Sequence, residues 1–204
     1  MSPTADLRRN TRVIELPVVP KPRPGMAMGT MGLLIFLLSL TMLFLASIVG
    51  YLVIRFRAET WPPPGLPPLP AGLWISTAVL LVSSVTIQRA LNHVRNNRPA
   101  ALKRDLLITS GLGFAFLALQ SFNWWKLLSF PMQPNLYVFT FLMLTGLHAV
   151  HVIGGLIPLG CTTFKAFHEA YSPQRHQGVL HCVLYWHFLD GIWMVLFLLL
   201  MLFS

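Results

Sequence analysis

The sequence predicts an all-α fold: a polytopic membrane bundle of about five transmembrane helices. Hydrophobic residues make up 55% of the 204 residues and charged residues only 10%, whereas soluble domains carry about 25% charged residues. The mean hydropathy is +0.65. The apolar residues are gathered into five stretches, each close to or above the length of about 20 residues that crosses a bilayer. Lipid is therefore the expected solvent for much of the surface.

The chain begins with a polar, proline-rich tail over residues 1–26, and we expect one membrane domain over residues 27–204. The tail lacks an apolar core followed by small residues, so no cleavable signal peptide is predicted. The first span covers about residues 30–54 and ends at two arginines. The prolines of residues 58–71 remove backbone donors and fix φ, which predicts an irregular or polyproline-like loop.

Four further spans follow the loop. They are expected at about residues 72–89, 106–126, 136–164 and 178–203. A cluster of polar residues separates the second span from the third, and Pro131 and Pro134 indicate a turn before the fourth. Asn135 is of a residue type that caps helix N-termini, and Pro158 predicts a kink near the end of the fourth helix.

Lysine and arginine are divided unequally between the two sides of the membrane that these spans define. The side of the N-terminus receives twelve of the 15: Arg8, Arg9, Arg12, Lys21, Arg23, Arg89, Arg95, Arg98, Lys103, Arg104, Lys165 and Arg175. The other side receives Arg55, Arg57 and Lys126. Basic residues favour the cytoplasmic side, so we expect a cytoplasmic N-terminus and an outside C-terminus. The basic residues form no single stripe, and the net charge of +9 therefore predicts no nucleic-acid partner.

Two pairs of ionisable side chains lie inside the spans, where such residues usually face protein or water. His148 and His151 are i, i+3 on the fourth helix, and His187 and Asp190 are i, i+3 on the fifth. For the first pair we predict a tight helix interface with hydrogen-bonded polar groups, helped by nearby glycines. For the second pair we predict a structural hydrogen bond, with a proton relay or an outer contact of a metal site as the alternative. We also expect the two helices to meet through these faces, bringing the two pairs together.

These residues do not form a complete ligand set for haem or a metal ion. A dihaem cytochrome b places two histidines of one helix several turns apart, whereas the pair on the fourth helix is one turn apart. Membrane di-iron desaturases use a larger set of HxxxH-type boxes than this chain contains. Cys161 and Cys182 form no CxxC pair and are interpreted as packing residues. We therefore predict no catalytic, cofactor-binding or metal site in this chain.

The last two predicted spans each contain a specific motif. Residues 141–156 read FLMLTGLHAVHVIGGL, and residues 185–197 read YWHFLDGIWMVLF. They resemble the TG-x-H-x-x-H-V-x-x-G and YWHFVD-x-x-W-x-x-x-F helices of subunit III of the haem-copper oxidases, in its five-helix bacterial form. Weaker similarities precede them, from FLLSLTMLFLASIVGYLVIR through Trp61 with its Pro-Gly loop to GFAFLALQ.

This resemblance implies a non-catalytic subunit of a respiratory terminal oxidase in the bacterial plasma (inner) membrane. In the family, subunit I holds the haems and copper and subunit II receives electrons, while subunit III has no redox centre. The resemblance thus implies a hetero-oligomeric complex in which this chain packs on subunit I, holds phospholipid in a cleft and supports proton uptake and lasting turnover. The sequence departs from the family at Leu40 and Asn123, where acidic residues are usual.

Two other assignments stay open at this point. Accessory subunits of nitric oxide reductases belong to the same family, so the motifs fit either oxygen or nitric oxide as acceptor and either cytochrome c or quinol as donor. A small membrane transporter is a different class, and it would be expected to show broken helices or paired repeats around a midplane site. The sequence shows neither feature, which favours the oxidase subunit.

Overall fold

A computed structural model describes residues 28–61, 71–129 and 136–203. Within them the chain forms five α-helices: α1 (Met28–Arg57), α2 (Gly72–Arg95), α3 (Pro99–Leu128), α4 (Leu136–Phe167) and α5 (Gln177–Leu202). Each is long and apolar enough to cross a membrane, so the predicted all-α fold with five transmembrane helices is confirmed. The predicted tail over residues 1–26, the turn at Pro131 and Pro134, the Asn135 cap and most of the proline-rich loop lie outside the described residues.

Two helices extend well beyond the apolar spans predicted from the sequence, while the other three agree within three residues at each end. α2 continues to Arg95, and α3 begins at Pro99 instead of near residue 106. Between them lie only residues 96–98, of which Asn97 has a φ of 54°, a left-handed conformation that asparagine tolerates. Charged residues end a hydrocarbon span but not a helix, because arginine and lysine have high helix propensity.

Four of the helices form a closed ring in the order α2, α3, α4, α5, with the most extensive contact between α2 and α3. α1 lies at the edge of this ring, where within the described part of the chain it contacts only α4 and α5. It buries four side chains: Leu40, Phe44, Ser47 and Tyr51. Most of the surface of α1 therefore faces outward.

Contacts near the helix ends show which ends share a side of the bundle. Thr30 Oγ1 lies 3.0 Å from His181 Nε2 and joins the start of α1 to the start of α5. Lys103 Nζ lies 3.5 Å from Glu169 Oε1 and joins the start of α3 to the connection between α4 and α5. We call this end of the bundle the N-side; it holds the start of α1 and the α2–α3 and α4–α5 connections.

Glycines allow neighbouring helices to approach closely in the core. A Cβ added to Gly113 of α3 would lie 2.9 Å from side-chain atoms of both Leu156 and Trp186, and one added to Gly155 of α4 would lie 2.8 Å from the Tyr185 ring. Gly155 is one of the glycines expected to permit close approach beside His151. At both positions a larger side chain would force neighbouring helices apart.

Candidate functional site

His148 lies at the centre of the bundle and is fully buried. Its ring is surrounded by aromatic side chains, with centroid distances of 4.9 Å to Trp193, 5.7 Å to Phe116 and 6.4 Å to Phe44. Among the described residues, neither of its ring nitrogens has a hydrogen-bond partner. The prediction of hydrogen-bonded polar groups in this segment therefore does not hold for His148, which packs as one ring of an aromatic cluster.

His151, one turn further along α4, has a different environment. Its Nδ1 lies 2.7 Å from the carbonyl oxygen of Leu147, and its own carbonyl oxygen accepts a 3.0 Å hydrogen bond from Tyr185 Oη. The ring centroid is 5.1 Å from that of Phe44. Because its Nδ1 contacts α4 and its carbonyl oxygen is bonded by α5, His151 forms part of a wall between helices.

His187 and Asp190 are the polar pair of α5, and the polar contacts of His187 go to α2. His187 Nδ1 lies 2.8 Å from Ser84 Oγ, and Nε2 lies 3.0 Å from Gln88 Oε1. Asp190 Oδ2 is 3.9 Å from His187 Nδ1, which is an ion-pair distance and too long for a hydrogen bond. The helices α4 and α5 do contact each other, and the polar partners of His187 belong to α2. An imidazole has two ring nitrogens to satisfy, and the short polar side chains of α2 satisfy both.

The hydroxyl groups that hold α5 against α2 were not among the predicted polar residues. Trp186 Nε1 donates a hydrogen bond to Ser83 Oγ, and Trp193 Nε1 donates one to Thr77 Oγ1, each at 2.9 Å. The two tryptophans are seven residues apart, two helical turns on one face. Hydroxyl residues recur in ISTAVLLVSS of α2, where the two acceptors, Thr77 and Ser83, are six residues apart. This run of hydroxyl residues, together with the two tryptophans on one face of α5, was the available sequence signal.

A groove of about 750 Å³ lies between α1, α4 and α5. Apolar side chains such as Leu33, Phe36 and Ile157 form most of its walls. Its polar atoms include the Tyr185 hydroxyl, which is hydrogen-bonded to α4. Thr162 Oγ1 is likewise engaged, 3.1 Å from Sγ of a cysteine on α5. The groove therefore offers an apolar lining to a molecule that enters between α1 and the ring.

The groove leads at the N-side into a polar region. Lys165, Tyr171 and Gly178 line both the groove and an adjoining cavity of about 540 Å³, which also includes Arg175. Burial raises the pKa of the Tyr171 phenol, which lies in the α4–α5 connection. Together the two cavities present an apolar surface that ends at two exposed basic side chains.

Asp105 lies near the start of α3. From the sequence it was predicted to belong to the polar connection before the third span, and not to a site. Its side chain is 2% exposed, and three basic groups approach its carboxylate. Arg89 Nε lies 3.4 Å from Oδ2, His93 Nε2 lies 3.3 Å from Oδ2, and Arg104 Nε lies 3.3 Å from Oδ1. A single acid in the basic segment 89–105 was the sequence signal for this cluster.

Within the residues that the structure describes, no group of three or more His, Cys, Asp or Glu side chains is placed where it could hold a metal ion. His148, His151 and His187 have separate surroundings: the aromatic cluster, the α4 wall and α2. Cys161 is exposed, whereas Cys182 is buried. The groove, and not a set of ligands, is thus the most distinctive feature of the bundle.

Five apolar helices and a groove with a basic end define an integral, multi-pass membrane protein of the helical-bundle class. The model of the family "Cytochrome c oxidase subunit III" matches residues 23–204. The chain belongs to this family.

Curated relatives agree with this assignment. Cytochrome c oxidase subunit 3 of Synechocystis sp. is 34% identical over 170 residues, which is 82% of this chain and 72% of the relative. The protein of the same name from Thermostichus vulcanus is 33% identical over 171 residues, 83% of this chain and 85% of the relative. That of Gallus gallus is 36% identical over 141 residues, 68% of this chain and 53% of the relative. The resemblance carried by the α4 and α5 motifs is confirmed, and the family is that of a subunit of a multi-subunit oxidase.

Proposed function

We propose that this chain is the non-catalytic third subunit of a respiratory terminal oxidase. It packs on subunit I, retains phospholipid in the groove between α1, α4 and α5, and thereby supports proton uptake and sustained turnover. Haem and copper reside in the partner subunits. The observation that carries this proposal is the groove, whose apolar walls lead to Lys165 and Arg175.

A phospholipid has the chemistry that both parts of the groove require. Its acyl chains can pack against the apolar walls by van der Waals contact, the same interaction that holds helices together inside a bilayer. Its phosphate is attracted by basic side chains at the membrane surface, by about 1 kcal/mol for each. Lys165 and Arg175 are both exposed, so salt weakens this attraction.

The packing on a partner subunit is supported by His187. Its side chain is 37% exposed, although it lies within a membrane-spanning helix. Polar side chains at this depth usually face protein or water rather than lipid. We therefore assign the contact with subunit I to the side of the bundle where α2 and α5 carry Ser84, Gln88 and His187.

The distribution of charge supports an inner-membrane protein with its N-side in the cytoplasm. Among the described residues, the N-side carries Arg89, Arg95, Arg98, Lys103, Arg104, Lys165 and Arg175. The opposite end carries Arg55, Arg57 and Lys126. Short cytoplasmic connections are the ones enriched in basic residues, and this supports an N-terminus inside and a C-terminus outside.

The double variant Lys165→Gln with Arg175→Gln tests the lipid-holding function in the purified complex. We expect less co-purified phospholipid for each complex and earlier inactivation during turnover, with the initial rate per haem near that of the unmodified enzyme. Lys126→Gln removes a basic side chain from the opposite end and serves as the control. Loss of lipid without any change in the lifetime of turnover would contradict the proposed link between the two.

A further inference from the structure

We propose that the α2–α3 hairpin carries a separate anion site, formed by Arg89 and Arg104 and held in place by the buried carboxylate of Asp105, that binds the phosphate of an anionic membrane phospholipid. The site belongs to α2 and α3, whereas the groove lies between α1, α4 and α5. It is therefore additional to the lipid-holding function proposed above.

The geometry of the cluster leaves donors available for a ligand. Arg89 and Arg104 approach different oxygens of Asp105, each through Nε, at 3.4 Å and 3.3 Å. A guanidinium has five N–H donors, of which Nε supplies one. Within the described residues, the Nη atoms of both arginines make no hydrogen bond. Because the two arginine side chains are 53% and 60% exposed, these remaining donors are accessible.

The charge balance of the cluster favours a further anion. Two arginines and one carboxylate leave a net charge of +1 when His93 is neutral. Guanidinium groups bind phosphate oxygens in a bidentate manner, which makes arginine the usual residue for phosphate recognition. A buried carboxylate that already holds Arg104 by a hydrogen bond and Arg89 by an ion pair also lowers the entropy cost of binding.

Hydrogen bonds between α2 and α3 stabilise the hairpin around Asp105, so the backbone that carries the two arginines is well positioned. Thr109 Oγ1 donates a 2.8 Å hydrogen bond to the carbonyl oxygen of Asp105, and it lies 2.8 Å from Thr86 Oγ1 on α2. Both threonines are buried. These contacts link the two helices one turn below the arginines and keep the carboxylate between them.

The depth of the cluster favours a membrane lipid over a soluble anion. Arg89 follows the uncharged residues 72–88, which extend about 25 Å as a helix, close to the thickness of about 30 Å of the hydrocarbon core. One turn deeper, Val85 is 60% exposed and Ile108 is 42% exposed. They stand four residues from Arg89 and Arg104, on the same helix faces. A phosphate at the arginines would thus place its acyl chains along these apolar side chains.

Photocrosslinking in the purified complex tests the site. The complex is reconstituted into phosphatidylcholine vesicles with a minor fraction of photoactivatable phosphatidylglycerol, and crosslinked peptides are identified by mass spectrometry. For Arg89→Gln with Arg104→Gln we expect crosslinking to the α2–α3 hairpin to fall by about twentyfold or more. The control Arg95→Gln with Arg98→Gln has the same net charge on the same hairpin, and should lose less than about fivefold because salt screens exposed charges. Equal losses in the two variants would overturn the site.

The variant Asp105→Asn distinguishes a site whose arginines are positioned by Asp105 from a diffuse basic patch. The substitution adds one positive charge to the cluster, so a diffuse patch would bind the anionic probe more strongly. The proposal expects the opposite, a fall of about fivefold, because the arginines lose their anchor. Undiminished crosslinking to α4 and α5 in the same sample shows that the bundle is intact. Equal or stronger crosslinking to the hairpin in this variant would overturn the role of Asp105.

Two further arms identify the source and charge of the ligand. Inorganic phosphate, added at the bulk concentration of the lipid probe, is expected not to displace the hairpin crosslink, since it has no acyl chains. Full displacement of the crosslink by inorganic phosphate would mean that the site binds a soluble phosphate and not a lipid. A photoactivatable phosphatidylcholine probe should label the hairpin several-fold less than the anionic probe, and equal labelling would overturn the requirement for an anion.

Discussion

The hydroxyl group of Tyr185 donates a 3.0 Å hydrogen bond to the backbone carbonyl oxygen of His151. This bond joins α5 to α4 through a carbonyl oxygen of the helix backbone, which has a second lone pair for an additional donor. The approach depends on Gly155, one turn further along α4, because a Cβ there would lie 2.8 Å from Tyr185 Cε1. The contact between the two helices thus depends on the absence of a side chain at Gly155 as well as on the hydrogen bond from Tyr185.

We predict that Gly155→Ala destabilises the subunit, because its methyl group overlaps the Tyr185 ring. Overpacking of this kind costs about 1–3 kcal/mol. The measurement is the temperature or detergent concentration at which the purified complex loses this subunit.

Gly160→Ala is the matched control on the same helix. A Cβ at Gly160 meets nothing within 4 Å, and alanine has the higher helix propensity, so stability should be unchanged or slightly raised. Equal destabilisation by the two variants would show that the Tyr185 contact is not the cause.

We predict that His187 and Ser84 are energetically coupled across the α2–α5 interface. Their 2.8 Å contact should give a coupling energy of about 0.6 kcal/mol, typical of hydrogen bonds between membrane helices. A double-mutant cycle with His187→Leu and Ser84→Ala, scored by retention of the subunit, measures it. Additive effects of the two substitutions would mean that the contact contributes nothing to stability.

Asp190→Leu is expected to impair assembly or shorten the lifetime of turnover, while the initial rate per haem of the assembled enzyme stays near normal. The reason is that Asp190 is buried beside His187 and has no part in a redox centre in the proposed function. Haem content, subunit stoichiometry and turnover lifetime are the measurements. A variant that assembled normally and lasted normally but lost its first turnover would establish a direct chemical role.

We predict that the isolated chain binds no haem and no stoichiometric metal ion. His148, His151 and His187 each have different surroundings, and a metal site needs several ligands converging on one point. Elemental analysis and a visible spectrum of the purified chain are the measurements. One equivalent of iron, copper or zinc retained through a chelator wash would refute the prediction.

We predict that the N-terminus lies in the cytoplasm and that the C-terminal Ser204 lies on the opposite, non-cytoplasmic side of the membrane. The physical reason is the excess of basic residues on the N-side, which resists translocation. A reporter that is active only outside the cytoplasm should give signal when fused after Ser204 and none when fused before Met1. The reverse pattern would invert the topology.

The helices could be predicted from the sequence because hydropathy and span length are local properties. Partners across helix interfaces could not, since they depend on how each helix is rotated about its axis. Thus the motif histidines were found by residue type, but the environment of His148 among three aromatic rings required the packed bundle. Asp105 was overlooked for a related reason: a charged residue beside basic neighbours indicates a surface connection, yet the helix continues and buries it.

The hydroxyl row of α2 also has a consequence for biosynthesis. α2 and α3 are joined by residues 96–98 and form the most extensive contact of the bundle, so they can associate as soon as both have left the ribosome. The indole groups of Trp186 and Trp193, which donate to that row, are translated after both of these helices. Until then Ser83 and Thr77 depend on carbonyl groups of their own helix, which each of them also contacts. α5 thus docks onto a surface whose hydroxyl protons at these two positions already have acceptors, and nascent chains that still lack α5 carry no unsatisfied hydroxyl donor there.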